Sequence, residues 1–277
     1  MRNSGLLLFV IAASGVVTNL HAEETSGVDI VPDIVYGHKL GLALTMDLYQ
    51  PKTEQANGAA ILFMVSGGWR SNWAPPEKGL ILFRPLVEMG FKVFAVRHGS
   101  SPKFNIPEIV EDVRLASRFV HANAGKYGVD ANRLGVYGGS AGGHLSLMLG
   151  TTAPEAGDRF AAVVAYFPPT DLRGWVNEDP DSNKSYPALR FPTAKAADYS
   201  PLLQVTPDDA PTLLIHGDKD PLVPLSHSEK ILAEFKAKNV PTELLVIPGG
   251  GHGFKGDDDV RARAAMIAWF EKYLAKP

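Results

Sequence analysis

A serine set among glycines is the first feature of this sequence that could carry chemistry. Four glycines flank Ser140 in the stretch GGSAGG, residues 138–143, although a glycine inside a regular element costs roughly 0.5–1 kcal/mol relative to alanine. Residues 138–142 match G-x-S-x-G, in which a sharp strand-to-helix turn exposes the serine hydroxyl. The pattern predicts a nucleophile at Ser140, and the alternative is a glycine-rich turn with an incidental serine.

A serine hydroxyl attacks a carbonyl only when a base takes its proton and an acid orients that base. Two later stretches supply such groups, HGDKDPLVP at residues 216–224 and PGGGHGF at residues 248–254. The first contains the candidate acids Asp218 and Asp220, and the second contains the candidate base His252. The order serine, acid, histidine is the one expected in the fold that uses this turn.

The surrounding elements predict a sheet that brings these residues to one edge. Short runs rich in Val, Ile and Leu are typical of strands buried on both faces, and helical patterns lie between them. The alternation predicts an α/β fold with a mostly parallel, doubly wound sheet, whose strand ends carry the chemistry. The predicted strands are residues 59–65, 91–96, 134–137, 161–166, 212–215 and 243–247, and the predicted helices are residues 107–123, 141–149, 226–238 and 257–274.

Two further segments complete the predicted organisation. Residues 33–36 and 42–49 are predicted as an N-terminal antiparallel β-meander that ends at Pro51. Residues 172–200 are polar, contain three prolines and are too long for an ordinary connection, so we expect an excursion that shapes a pocket. Because no repeat or linker-like composition interrupts the chain, we expect residues 23–277 to form a single catalytic domain.

Three stretches together resemble a known superfamily. GVYGGSAGGHLSLML (residues 135–149), HGDKDPLVP and PGGGHGF are similar to motifs of the α/β-hydrolases, closest to the small esterase-lipase and prolyl-oligopeptidase-like branches, which include carboxylesterases and acetyl xylan esterases. The resemblance covers essentially all of residues 23–277 and implies the α/β-hydrolase fold. It also implies a catalytic triad of Ser140 as nucleophile, Asp220 as acid and His252 as base, with Asp218 kept as the rival acid.

The same resemblance implies an oxyanion hole. The family often carries HGGGW after an early strand, and here VSGGW occupies residues 65–69. Alignment on the tryptophan makes Gly67, Gly68 and Ala141 the expected donors of backbone N–H groups. The sequence departs from the family at the two positions before Gly67, where valine and serine replace histidine and glycine. Trp69 and Arg70, which follow directly, are predicted to bind substrate.

Three other polar residues could have either a structural or a functional role. His144 is expected to be a core histidine with its hydrogen bonds satisfied, His98 is a candidate for lining the site, and Asp171 is either an acid from another strand end or a turn residue.

Residues 251–256 match the dinucleotide-binding pattern G-x-G-x-x-G, but the 21 residues after them cannot build the required βαβ unit. None of the eight histidines shows a zinc-ligand spacing, so we expect no metal and no cofactor.

The composition constrains location and partners. Arg2, the apolar run at residues 6–17 and the small-residue site at residues 20–22 predict a cleaved signal peptide over residues 1–22 and a secreted or periplasmic protein. A single-span anchor is the alternative, but the run is shorter than the ~20 residues of a span. A net charge of −3 without a basic stripe argues against nucleic acid. The absence of cysteine excludes disulfides and thiol catalysis.

These expectations together predict an exported serine hydrolase that cleaves carboxylic esters through an acyl-enzyme. The family resemblance suggests small-molecule or carbohydrate esters as substrates, with acetyl or feruloyl esters of plant polysaccharide foremost. Two alternatives stay open, a serine peptidase of the prolyl-oligopeptidase kind and a non-catalytic binding protein on a hydrolase scaffold.

Overall fold

One eight-stranded sheet forms the centre of the molecule. The computed structural model describes residues 27–152 and 159–275, so the predicted signal peptide lies outside the described residues. The strand order is β1-β2-β4-β3-β5-β6-β7-β8. The strands are β1 Val28–Lys39, β2 Leu42–Pro51, β3 Ala60–Met64, β4 Lys92–Val96, β5 Leu134–Gly139, β6 Ala162–Tyr166, β7 Thr212–Gly217 and β8 Thr242–Ile247.

The pairing of the strands confirms the predicted fold class. β1 pairs antiparallel with β2 and β2 antiparallel with β4, whereas every later pair, from β4–β3 to β7–β8, is parallel. β1 is longer than predicted because a bulge interrupts its pattern. The register shifts between Val31 and Ile34, where Asp33 has a φ of 51°, and such a shift hides the alternation of side chains on which the prediction depends.

Helices cover both faces of the sheet. The five α-helices of the described residues are α1 Leu80–Glu88, α2 Ile106–Ala122, α3 Ala141–Thr151, α4 Ser226–Ala237 and α5 Asp257–Leu274. Residues of α2, α3 and α4 belong to one hydrophobic cluster, and residues of α1 and α5 belong to a second. Only α1 was not predicted, since Pro85 inside it removes a backbone donor and obscures the helical signal. None of these five helices is long and apolar enough to cross a membrane.

Residues 172–200, between β6 and β7, form an irregular segment that we call the wall segment. Its regular structure is limited to short 3₁₀ turns at Pro187–Leu189 and Thr193–Lys195. Buried Leu172, Val176 and Phe191 anchor it to the cluster that contains α2, α3 and α4. The segment is therefore held against the body of the protein by packing rather than by strand pairing.

Candidate active site

Ser140 lies on a strained turn between β5 and α3. Its φ of 55° and ψ of −119° are sparsely populated for a residue with a side chain, and such strain persists only where the surroundings enforce it. A Cβ on Gly138 would lie 2.5 Å from the carbonyl carbon of Gly142, and one on Gly142 would lie 2.7 Å from the carbonyl oxygen of Met64. The glycines are thus required because the turn folds onto itself and against the end of β3.

A chain of hydrogen bonds connects Ser140, His252 and Asp220. The Ser140 Oγ lies 2.8 Å from His252 Nε2, and His252 Nδ1 lies 2.7 Å from Asp220 Oδ2. Because an ionised carboxylate only accepts, His252 donates from Nδ1 and presents the lone pair of Nε2 to the serine hydroxyl. The structure thus brings together the three residues predicted as nucleophile, base and acid.

Asp220 is kept ionised despite its burial. Its side chain is fully buried, and burial by itself raises the pKa of the carboxyl group. Hydrogen bonds from the Val223 backbone, from His252 and from the Leu222 backbone outweigh that effect and hold the pKa of Asp220 below its usual value. The backbone donors lie 3.0 and 2.8 Å from Oδ1, which leaves Oδ2 for the histidine.

Asp218, the rival acid, has a different position and partner. It lies on the exposed loop after β7, and its Oδ1 accepts a 2.6 Å hydrogen bond from the backbone of Gly249. The two loops meet closely here, since a Cβ on Gly217 would lie 2.2 Å from the Gly250 carbonyl oxygen. Asp218 therefore fastens the loop that carries His252 without touching the imidazole.

The glycine pair after β3 forms a tight turn, residues 67–70, that we call the oxyanion turn. Gly67 and Arg70 exchange two backbone hydrogen bonds of 3.0 Å each, and Gly68 and Trp69 between them both have a φ of 57°. This is the geometry of a two-residue turn of the I′ kind. The prediction for Gly67 was wrong in this respect, because its N–H donates to Arg70 and is not free for an oxyanion.

The predicted donors Gly68 and Ala141 remain suitable. Gly68 and Ser140 line the same pocket, and Ala141 is the first residue of α3, where backbone N–H groups have no partner within the helix. Among the described residues, neither N–H has a hydrogen-bond partner. The start of α3 also favours negative charge beside Ser140. Both groups can therefore receive a developing oxyanion.

Trp69 supports the oxyanion turn and also forms part of the pocket. It is only 3% exposed, and its Nε1 donates to His144 Nδ1 at 3.2 Å. His144 Nε2 in turn donates to the Tyr199 carbonyl at 2.8 Å. His144 is thus the buried, satisfied histidine that the sequence predicted. Its role in holding a left-handed tryptophan was missed, since nothing local in the sequence indicates that pairing.

The pocket above Ser140 has mostly apolar walls. Its volume is about 290 Å³, and the wall segment supplies five of its lining residues. Aromatic and aliphatic walls with few polar groups are typical of small-molecule sites. The lining residues are Gly68, Trp69, Ser140, Pro169, Gly174, Trp175, Asn183, Tyr186, Leu189, Leu222 and Val223.

The remaining predicted residues lie outside this lining. Arg70 is exposed, and its guanidinium lies 3.4 Å from the Ser185 carbonyl. Asp171 forms an ion pair of 2.8 Å with Arg173 and is not joined to His252. His98 is buried behind the oxyanion turn, with its Nε2 2.9 Å from Ser66 Oγ. No cluster of three or more potential metal ligands occurs in residues 27–152 or 159–275.

We expect His98 and His144 to make the fold less stable at acid pH. Burial lowers the pKa of each to about 4, whereas an unfolded histidine titrates near ~6.5. Between these pH values the unfolded chain binds more protons than the folded protein. The free energy of unfolding should therefore fall as the pH drops through this window, by about 1.4 kcal/mol per pH unit for each histidine.

Chemical denaturation at several pH values between 4.5 and 6.5 measures this slope. His98→Gln should flatten it by removing one of the buried histidines whose pKa is lowered, and His38→Gln, at an exposed position, should leave it unchanged. Identical slopes for the wild type and both variants would contradict the prediction.

The fold and the Ser–His–Asp arrangement define an α/β-hydrolase. Within that class the chain belongs to the BD-FAE family, whose family model matches residues 46–235. Among the solved structures, a truncated carbohydrate esterase from gut microbiota is 27% identical, with a TM-score of 0.76, and the match covers 90% of this chain and 97% of that one.

The curated relatives include esterases of bacterial origin. Esterase LipC of Mycobacterium tuberculosis is 28% identical over 251 residues, which cover 82% of this chain and 62% of the relative. Ethyl acetate hydrolase of Pseudomonas putida is 26% identical, with 91% of this chain and 87% of the relative covered. The chain spans about three fifths of the length of the mycobacterial relatives LipC, LipM and LipQ.

Proposed function

We propose that this protein hydrolyses carboxylic esters through a covalent acyl-enzyme. The observation that carries the proposal is the continuous hydrogen-bond chain from Ser140 through His252 to the ionised, buried Asp220, with distances of 2.8 and 2.7 Å. A nucleophile, a base and an orienting acid in this geometry suffice for acyl transfer.

Each residue then has a defined task. Ser140 Oγ attacks the ester carbonyl while His252 Nε2 takes its proton, and Asp220 stabilises the imidazolium that forms. The N–H groups of Gly68 and Ala141 receive the oxyanion of the tetrahedral intermediate, where one such donor contributes about 2.7–4 kcal/mol. His252 then protonates the leaving alcohol and activates the water that releases the acid.

We further propose that the substrates are acetyl or feruloyl esters of plant polysaccharide. The carbohydrate esterase among the structural relatives and the ethyl acetate hydrolase among the curated ones support short acyl groups and sugar-linked esters. Trp175 and Tyr186, both at the pocket wall, offer aromatic faces on which a sugar or a ferulate ring can stack. We also propose that residues 1–22 direct export, which would bring the enzyme to such polysaccharides.

A panel of substrates tests this proposal. We expect hydrolysis of p-nitrophenyl acetate and methyl ferulate and release of acetate from acetylated xylan. We expect no cleavage of a proline p-nitroanilide, which probes the prolyl-oligopeptidase alternative. Cleavage of the anilide without ester hydrolysis would favour a peptidase, and no turnover of either class would favour a binding protein. Residue 23 as the first residue of protein recovered from the periplasm or medium would support export.

A further inference from the structure

His98 and Ser66 form a second serine–histidine pair beside the active site. The Ser66 Oγ lies 2.9 Å from His98 Nε2, and His98 Nδ1 lies 2.8 Å from the Gly99 carbonyl oxygen. Because a carbonyl only accepts, Nδ1 must carry the proton and Nε2 must accept from the Ser66 hydroxyl. Burial lowers the pKa of His98 to about 4, so the ring stays neutral near pH 7 and the direction of the bond is fixed.

The same two loops are joined at further points. The Ser71 Oγ accepts from the His98 backbone N–H at 3.3 Å, and the Ser71 N–H donates to Ser100 Oγ at 3.1 Å. The Ser101 N–H donates to the Trp69 carbonyl at 3.1 Å. Residues 98–101 therefore form hydrogen bonds on both sides of the oxyanion turn, with Ser66 immediately before it and with Ser71 immediately after it.

The loop at residues 98–101 is itself held in place by contacts with α2. The Gly99 N–H donates to Asp112 Oδ2 at 2.9 Å, and Asp112 on α2 forms an ion pair of 2.6 Å with Lys39 at the end of β1. A Cβ on Gly99 would lie 2.8 Å from that carboxylate oxygen, so the loop is pressed directly against α2. The loop that carries His98 is thus rigidly attached to α2, and His98 holds Ser66 in a fixed position.

Ser66 also connects the oxyanion turn to the turn that carries the nucleophile. Its carbonyl oxygen lies 3.4 Å from the position of a Cβ on Gly142, two residues after Ser140. A shift of Ser66 would therefore change the distance between the Gly68 N–H and the serine. The spacing of these two groups is what an oxyanion hole must hold constant, because donors act at 2.7–3.1 Å from the oxyanion.

We propose that His98 is a positioning residue which, through the hydroxyl of Ser66, sets the oxyanion turn so that the Gly68 N–H faces the carbonyl oxygen of an ester bound at Ser140. The inference rests on the proposed function, since it assumes attack by Ser140. His98 contacts neither substrate nor Ser140, so it acts through another residue. The contact lies at the position where the sequence has valine and serine in place of the histidine and glycine of HGGGW.

Ser66→Ala and Ser66→Thr give the sharpest test. Because oxyanion donors act mainly on the transition state, loss of the Ser66 hydroxyl should lower kcat by roughly 10–100-fold, less than the 10²–10³ lost with a donor itself. KM should change little. Affinity for an alkyl trifluoromethyl ketone, which forms a tetrahedral adduct with the nucleophile, should fall by the same factor as kcat. Ser66→Thr keeps a hydroxyl and should keep most of the activity.

Ser117→Ala is the matched control. Ser117 is a buried serine of α2 whose Oγ lies 3.4 Å from His121 Nδ1, and its loss should leave kcat and ketone affinity unchanged. If Ser66→Ala does not fold, His98→Gln, which keeps an acceptor for Ser66, is compared with His98→Leu, which does not. The glutamine variant should have the higher kcat and the tighter ketone binding.

Two outcomes would overturn the inference. One is a kcat of Ser66→Ala, or of His98→Leu in the second comparison, within twofold of the wild type. The other is a fall in kcat without any loss of ketone affinity. Failure of the proposed function has a different signature, since the wild-type protein would then form no adduct between the ketone and Ser140.

Discussion

Replacing Ser140 with alanine is expected to lower kcat for ester hydrolysis by roughly 10⁴–10⁶-fold, the range measured when a serine nucleophile is removed from other triad enzymes. Without Oγ no acyl-enzyme forms, and water must attack the ester directly. Alanine keeps the Cβ at the same φ of 55°, so the strain of the turn and the fold should be unchanged. Turnover of p-nitrophenyl acetate and the Tm of both proteins measure these two effects.

Covalent labelling identifies the nucleophile independently of turnover. An organophosphonate should modify the wild type at Ser140, as read by peptide mass spectrometry, and should not modify Ser140→Ala. Ser146→Ala, further along α3, is the control, because the Ser146 hydroxyl donates to the Gly142 carbonyl at 2.8 Å and not to the triad, and its variant should be labelled like the wild type. Modification of a different serine would refute the assignment.

Asp220→Asn should be nearly as damaging, with a loss of about 10⁴ in kcat. The Asn Oδ1 can still accept from Leu222 and Val223, whose donors lie at 2.8 and 3.0 Å in the native protein, so the Nδ2 group turns toward His252. An amide N–H facing Nδ1 forces the proton of the imidazole onto Nε2. The histidine can then no longer accept the proton of Ser140.

Asp218→Asn is the matched control for that variant. Asp218 accepts a single backbone hydrogen bond from Gly249, which an asparagine oxygen can also accept. We expect its kcat/KM to remain within about tenfold of the wild type, because removal of its charge leaves the loop fastened. If Asp218→Asn were the more damaging of the two, the assignment of the acid would have to be reversed.

The three residues that the structure joins by hydrogen bonds could be located from the sequence because the information is local. Each member follows an apolar run, and the carboxyl ends of parallel strands meet at one edge of the sheet. The positions of the short motifs at residues 138–142, 216–224 and 248–254 can therefore be predicted to converge without any knowledge of distant contacts. The crowding at Gly138 and Gly142 is likewise local, since the turn itself imposes it.

The oxyanion turn was harder to predict because its geometry depends on contacts between distant parts of the chain. Whether the Gly67 N–H is free depends on a turn in which Trp69 adopts a left-handed conformation, and sequence propensity disfavours that conformation for tryptophan. Trp69 is held there by His144, 75 residues later in the chain. Likewise, no periodic pattern indicates that His98 would bond to Ser66, 32 residues earlier.

The wall segment contributes no atom to the hydrogen-bonded chain of Ser140, His252 and Asp220, which comes from the ends of β5, β8 and β7. Over evolutionary time, such a separation lets selectivity diverge while the reacting apparatus is inherited intact. Because the wall segment is separate from these three residues, residues 172–200 can be exchanged in an engineered protein without changing them. A homologous stretch grafted between β6 and β7 would change the shape of the pocket that receives the acyl and alcohol groups, provided that it keeps the buried anchors Leu172, Val176 and Phe191.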